Sequence, residues 1–161
     1  MKSKSLLLSF IFFFEFLQMV FSQAPNRKVY TTTPTYSEII STYETFSKQN
    51  DCTKLLTYGI TDVGKPLHLF VISKSKEFNP ETLRKQNKRV LLINNGIHHG
   101  EPDGIEASIE IVKILLSDKN KIPDDVVICI IPVYNVDGCL NRGKYSRANQ
   151  NGPEEYGFRG N

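Results

Sequence analysis

Arg89-Val90-Leu91-Leu92-Ile93-Asn94-Asn95-Gly96-Ile97-His98-His99-Gly100-Glu101-Pro102-Asp103-Gly104 is the stretch on which the fold turns. Its first part, Val90 to Ile93, is apolar without alternation, which predicts a strand buried on both faces, as in the interior of a parallel sheet. Its last residues open a helix. Ile105, Ser108/Ile109, Val112 and Leu115/Leu116 recur at helical spacing and predict a buried stripe from about Gly104 to Ser117. A second continuous apolar run, Val126 to Val133, follows. Strand, helix and parallel strand in that order make a right-handed crossover unit. The class is α/β.

Upstream, Thr35-Tyr36-Ser37-Glu38 fits a capping box, with Pro34 just ahead. Tyr36, Ile39, Ile40, Tyr43 and Phe46 then trace one apolar helical stripe to about Lys48. Leu55 to Ile60 and Leu67 to Ser73 are strand-like runs separated by Thr61-Asp62-Val63-Gly64-Lys65-Pro66, a spacing that predicts an antiparallel hairpin. The sheet is therefore mixed, an N-terminal hairpin joined to a β-α-β crossover. Lys74 to Lys88 is polar and reads as a connecting loop with room for a helical turn. Past Pro132 the sequence becomes rich in Asn, Gly and Arg, with no further core strand. A crossover unit of this kind needs more strands and a second helical layer, so residues 34–161 read as the N-terminal part of a larger domain.

The chain has 161 residues, 40% hydrophobic and 23% charged, which excludes disorder and low-complexity scaffolds. A formal charge of +3 without a Lys/Arg cluster gives no nucleic-acid surface. Residues 1–22 have the secretory pattern: Lys2 and Lys4, the apolar run Leu6 to Phe14, then Ser22, Gln23 and Ala24. The alternative is a permanent anchor, but Glu15 interrupts the run and leaves it short of the ~20 residues of a bilayer span. The expectation is a cleaved signal peptide, a polar lead-in over residues 23–33, no stable membrane anchor, and a secreted or periplasmic protein. Cys129, inside Val126 to Ile131, reads as a buried small hydrophobe. Cys52 and Cys139 lie among polar neighbours and form a candidate pair in an oxidising compartment.

The chemistry sits in the quoted loop, between a strand end and a helix start, where ligands bind in open α/β sheets. His98 and Glu101 are three apart, so one turn aims an imidazole nitrogen and a carboxylate oxygen at one point. Zn2+ accepts such a pair, and a catalytic site adds a third protein ligand and leaves a position for water. A surface ion pair is the plain alternative. His99 points elsewhere in most backbone geometries and reads as supporting the site or facing solvent, with direct ligation the lesser alternative. His68, on a hairpin strand, reads as structural.

Gly96-Ile97-His98-His99-Gly100-Glu101 resembles the zinc-binding loop of the metallocarboxypeptidases related to pancreatic carboxypeptidase A. Two further segments agree. Tyr58 to Leu67 is similar to that family's early G-x-S-x-x-G-R-P-[IL] hairpin, and Pro132-Val133-Tyr134-Asn135-Val136-Asp137-Gly138 to its P-x-x-N-P-D-G strand exit, with Val136 in place of Pro. The resemblance runs from about Pro34 to Asn161. It implies the N-terminal portion of a carboxypeptidase-like (phosphorylase/hydrolase-like) fold, with zinc as cofactor and peptide C-termini as substrate.

By that resemblance His98 and Glu101 are the first two zinc ligands. Arg159 is the arginine that polarises the scissile carbonyl and stabilises the oxyanion, with Arg142 and Arg147 as alternatives. Asn135, Asp137 and Gly138 shape the strand exit rather than touch substrate. No His follows Glu101, so the resemblance puts the third ligand beyond Asn161, together with the Asn-Arg clamp, the tyrosine and the glutamate that activates water. The expectation is that these residues alone bind metal weakly and have little peptidase activity. A non-catalytic relic or binding protein, and an aspartoacylase-like or cell-wall-peptide amidohydrolase of the same fold, are the rival readings. Substrate side-chain preference and oligomeric state are not encoded legibly.

Overall fold

The structure, a computed structural model, describes residues 33–143 and the backbone of Tyr156–Gly157. The signal segment, most of the lead-in, Arg147 and Arg159 lie outside the described residues. Among the described residues no helix is long and apolar enough to cross a membrane.

Helix α1 (Tyr36–Gln49) starts where its capping box dictates. The Thr35 hydroxyl accepts from the Glu38 N–H at 3.3 Å, and the Thr35 N–H donates to the Glu38 carboxylate at 2.7 Å. Two of the N–H groups left over at a helix start are thereby satisfied. The stripe is buried as the spacing demands: Ile39, Ile40 and Tyr43 are in the core, with Phe46 packed against it. Tyr43 and Phe70 meet edge to face at 5.0 Å between ring centres.

Strands β1 (Thr53–Ile60) and β2 (Pro66–Ile72) form the expected antiparallel hairpin, with Leu55 opposite Phe70. The register slips between Thr57 and Ile60, next to Gly59 with its φ of 88°. The Tyr36 hydroxyl donates to the Pro66 carbonyl at 2.7 Å and ties α1 to the hairpin. Inside the segment read as a loop, a short helix, α2 (Pro80–Lys85), is capped by Asn79.

β3 (Arg89–Asn94) pairs with β4 (Val126–Ile131) in parallel register, Leu91 opposite Ile128 and Asn94 opposite Ile131. Between them runs α3 (Asp103–Ser117), which buries Ile105, Ser108 and Val112. β2 pairs antiparallel with β4, giving the sheet order β1-β2-β4-β3. The mixed sheet and the strand-helix-strand unit are as expected. A further helix, α4 (Val136–Leu140), was not legible, and its Val136 and Cys139 belong to the core. Beyond it, β5 (Arg142–Gly143) pairs with β6 (Tyr156–Gly157).

Alternation along the strands assigns the two faces. Phe70, Ile72, Ile128 and Ile130 pack in one cluster with α1 and α3 residues. Val71 and Val127 form the other with Leu83 of α2, and Leu56, Leu69, Phe78 and Cys129 pack around them. This second face is covered less completely, and a groove of about 330 Å³ runs along it.

Three expectations need correction. β3 is not buried on both faces: Val90, Leu91 and Leu92 are 62%, 50% and 56% exposed. Among the described residues the strand is bonded on one side, at the end of the sheet, and the described helices cover little of it. Cys52 and Cys139 have polar neighbours in sequence but lie in the core as free thiols, since the turn before β1 and the inner side of α4 face inward. Cys129 is half-buried, because it stands on the less covered face.

Candidate metal centre

The residues of the loop that carries His98 and Glu101 leave the sheet at the end of β3 and are still held by backbone. The Asn95 N–H donates to the Ile131 carbonyl at 3.1 Å, prolonging the β3–β4 ladder. The Tyr134 N–H then donates to the Asn95 carbonyl at 2.8 Å, and the Asn135 N–H to the Gly96 carbonyl at 3.0 Å. Gly96 turns the chain here with φ of 64°. A Cβ on it would stand 3.3 Å from the Ile105 side chain and 3.4 Å from Val133, so the conformation calls for glycine and a side chain would also crowd its neighbours slightly.

The turn closes at its far end through the Glu101 N–H, which donates to the His98 carbonyl at 2.8 Å. That bond is the one-turn relation between the two candidate ligands. Both line a single cleft of about 360 Å³ with Asn94, Ile97 and Asp103. His98 is half-buried and Glu101 exposed. The carboxylates of Glu101 and Asp103 give the cleft an acidic lining that suits a cation. One nitrogen and one oxygen donor fit two positions of a zinc site. Among the described residues no group of three or more His, Cys, Asp or Glu side chains gathers to hold a metal ion.

Asn95 braces the loop from beneath. Its amide donates to the Ser108 hydroxyl at 2.8 Å, which joins the strand end to the buried face of α3. Asn135 does the same from the β4 side. Its amide N–H donates to the Ile97 carbonyl at 3.3 Å, and its Oδ1 accepts from the Gly138 N–H at 2.8 Å, capping α4. The assignment of Asn135 and Gly138 to the strand exit agrees with this geometry. The reach of Asn135 across to the His98–Glu101 loop was not visible, because it spans 38 residues.

His99 is fully buried and does not face solvent. Among the described residues neither ring nitrogen makes a well-formed hydrogen bond, the Pro34 backbone being its polar neighbour of note. Loss of solvent drives its pKa down to about 4, the positive charge of Arg142 adds to this, and the Pro34 backbone pulls weakly the other way. The buried imidazole is not among the residues that line the cleft. His68 is half-buried, 3.3 Å from the Thr57 hydroxyl, and its pKa is lowered by burial. Arg142, one of the alternatives for the oxyanion arginine, donates to the carbonyls of Thr33 at 2.7 Å and Pro34 at 3.3 Å. The guanidinium thus fastens the residues ahead of α1 to the segment after α4.

Comparison with known proteins agrees with this architecture. A family model described as zinc carboxypeptidase matches residues 39–157. No curated protein matches. Among solved structures, bovine thrombin-activatable fibrinolysis inhibitor, in complex with tick carboxypeptidase inhibitor, is similar with 23% identity and a TM-score of 0.55, over 66% of this chain and 32% of that one. Carboxypeptidase A from Helicoverpa armigera is similar with 16% identity and a TM-score of 0.56, over 77% of this chain and 31% of that one. A metallo-carboxypeptidase from Burkholderia cenocepacia gives 23% identity and a TM-score of 0.53, over 66% and 28%. The chain spans about a third of the length of these structures. With a family model matching most of its length and a mixed sheet that places the His98–Glu101 turn at a strand end, the chain belongs to the zinc carboxypeptidase family.

Proposed function

We propose that this chain carries the metal-binding loop of a zinc hydrolase that removes C-terminal residues from peptides. The observation that carries the reading is the closed turn after β3, which brings His98 and Glu101 to one cleft. His98 and Glu101 would hold the metal, one through imidazole nitrogen and the other through carboxylate oxygen. Zinc bound there supplies an acidified water and a Lewis acid for the peptide carbonyl.

The protein's own groups do the rest. Asn95 and Asn135 hold the loop that presents the ligands. Arg159, proposed on the family resemblance, donates to the carbonyl oxygen as negative charge develops on it, work that suits a guanidinium. These 161 residues by themselves carry two of the ligands. We therefore expect weak metal binding and little peptidase activity from this chain alone. We also propose export, with residues 1–22 removed to leave a secreted or periplasmic protein.

Zinc titration by calorimetry on the purified chain, beside His98→Ala and Glu101→Ala, tests the assignment. The expected result is weak binding that each substitution abolishes. Identical isotherms for all three proteins would remove the assignment of both ligands.

A further inference from the structure

Every carbonyl from Asn95 to His98 accepts a hydrogen bond. Three of the four donors are backbone N–H groups: Tyr134 to Asn95, Asn135 to Gly96 and Glu101 to His98. The Ile97 carbonyl is the exception, and a side chain serves it, the Asn135 amide at 3.3 Å. The backbone ladder between the two strand exits gives out at Gly96, and the loop begins its own turn at His98. Asn135 fills the gap between them.

We infer that Asn135 is a positioning residue for the metal-binding loop, acting through the Ile97–His98 peptide. That peptide plane sets the direction of the His98 Cα–Cβ bond. Asn135 grips two consecutive planes, one through its own N–H to Gly96 and one through its side chain to Ile97. Its Oδ1 is anchored by the Gly138 N–H at 2.8 Å, so the amide is oriented before any ligand arrives. The residue is buried, 7% exposed, where water competes poorly for either bond. Asn is the side chain that fits, because it needs an acceptor for the α4 cap and a donor for the loop at once. Asp keeps the acceptor and the shape without the donor. Ser keeps a neutral capping acceptor and is too short to reach across. The consequence for metal affinity rests on the reading of His98 and Glu101 as ligands; the consequence for the loop does not.

The test is amide hydrogen exchange on the purified chain, wild type beside Asn135→Asp and Asn135→Ser, with the Glu101 N–H as reporter. Exchange at Glu101 should quicken at least tenfold in both variants. The Cys139 N–H, which bonds to the Asn135 carbonyl, and the β4 amides should stay within twofold of wild type. Zinc affinity of Asn135→Ser should fall about tenfold. Glu101 protection unchanged within twofold in both variants would overturn the inference. Quickening spread equally over β3, β4 and α4, or failure of both variants to fold, would overturn it too, by making Asn135 a residue of the fold at large. A zinc isotherm insensitive to His98→Ala would count against the ligand reading alone, and the exchange result would still decide the role of Asn135.

Discussion

At Gly96 two independent constraints meet on one residue. Its φ of 64° is a region that side chains rarely adopt, and a Cβ would press on Ile105 and Val133. Gly64, in the hairpin turn, has a comparable φ of 72° but open space around it. Gly96→Ala should therefore cost more than Gly64→Ala. About 1 kcal/mol covers the conformational strain alone, and up to about 3 kcal/mol is expected where the crowding adds to it. Urea unfolding of the two variants checks the order. Equal losses would mean that the loop yields freely around Gly96. The contrast also explains why the motif carries glycine at this point: the same turn that aims His98 brings the backbone against the first residues of α3.

At the level of elements, start signals and periodicities were legible wherever a short-range rule decided the outcome. The capping box at Thr35, the hairpin and the α3 stripe all depend on residues a few positions apart. α4 was missed because five residues are too few to show a period, and its start is set by an Asn side chain rather than by pattern. The burial of β3 was misjudged for a different reason. An apolar run states what a strand is suited to, and the neighbours that would cover it are specified elsewhere. The one-turn relation of the candidate ligands His98 and Glu101 was legible because they lie three residues apart. The Asn135 brace was not, because hydrogen bonds across 38 residues leave no local trace. Thr35→Ala should cost about 1 kcal/mol, since it removes the side-chain acceptor at the start of α1. Ser37→Ala, two residues on, should change stability by less than half of that, and thermal melts of the pair measure the difference. Equal melts would mean that the Glu38 half of the box suffices.

Over the described fold as a whole, the two sheet faces are unequally treated. α1 and α3 pack on one, while on the other Leu56, Leu69, Val90 and Val127 line an open apolar groove. The outer edge of β3, which no described strand pairs, adjoins this face, so a free strand edge and apolar surface occur together, the combination that favours association between chains. Sedimentation velocity should show concentration-dependent self-association of the purified chain. Val90→Lys with Leu92→Lys, on the exposed edge strand, should suppress it without lowering the melting temperature by more than a few degrees. A wild-type chain that stays monomeric at high concentration would contradict this.

The three thiols lend themselves to a different use. Cys52 precedes β1, Cys129 is central in β4 and Cys139 sits in α4, so one lies in each of three separate parts of the fold. Cys52 and Cys139 are 1% and 0% exposed, and burial pushes the Cys139 thiol up to about 12. In the closed molecule Cys139 offers a labelling reagent neither access nor thiolate. Its alkylation must then wait for local opening, and the rate of adduct formation reads the free energy of that opening directly. The half-buried Cys129 reacts on a shorter clock. The protein thus has one chronometer in each of its two apolar clusters, and the one in α4 times the breathing of the helix that Asn135 caps.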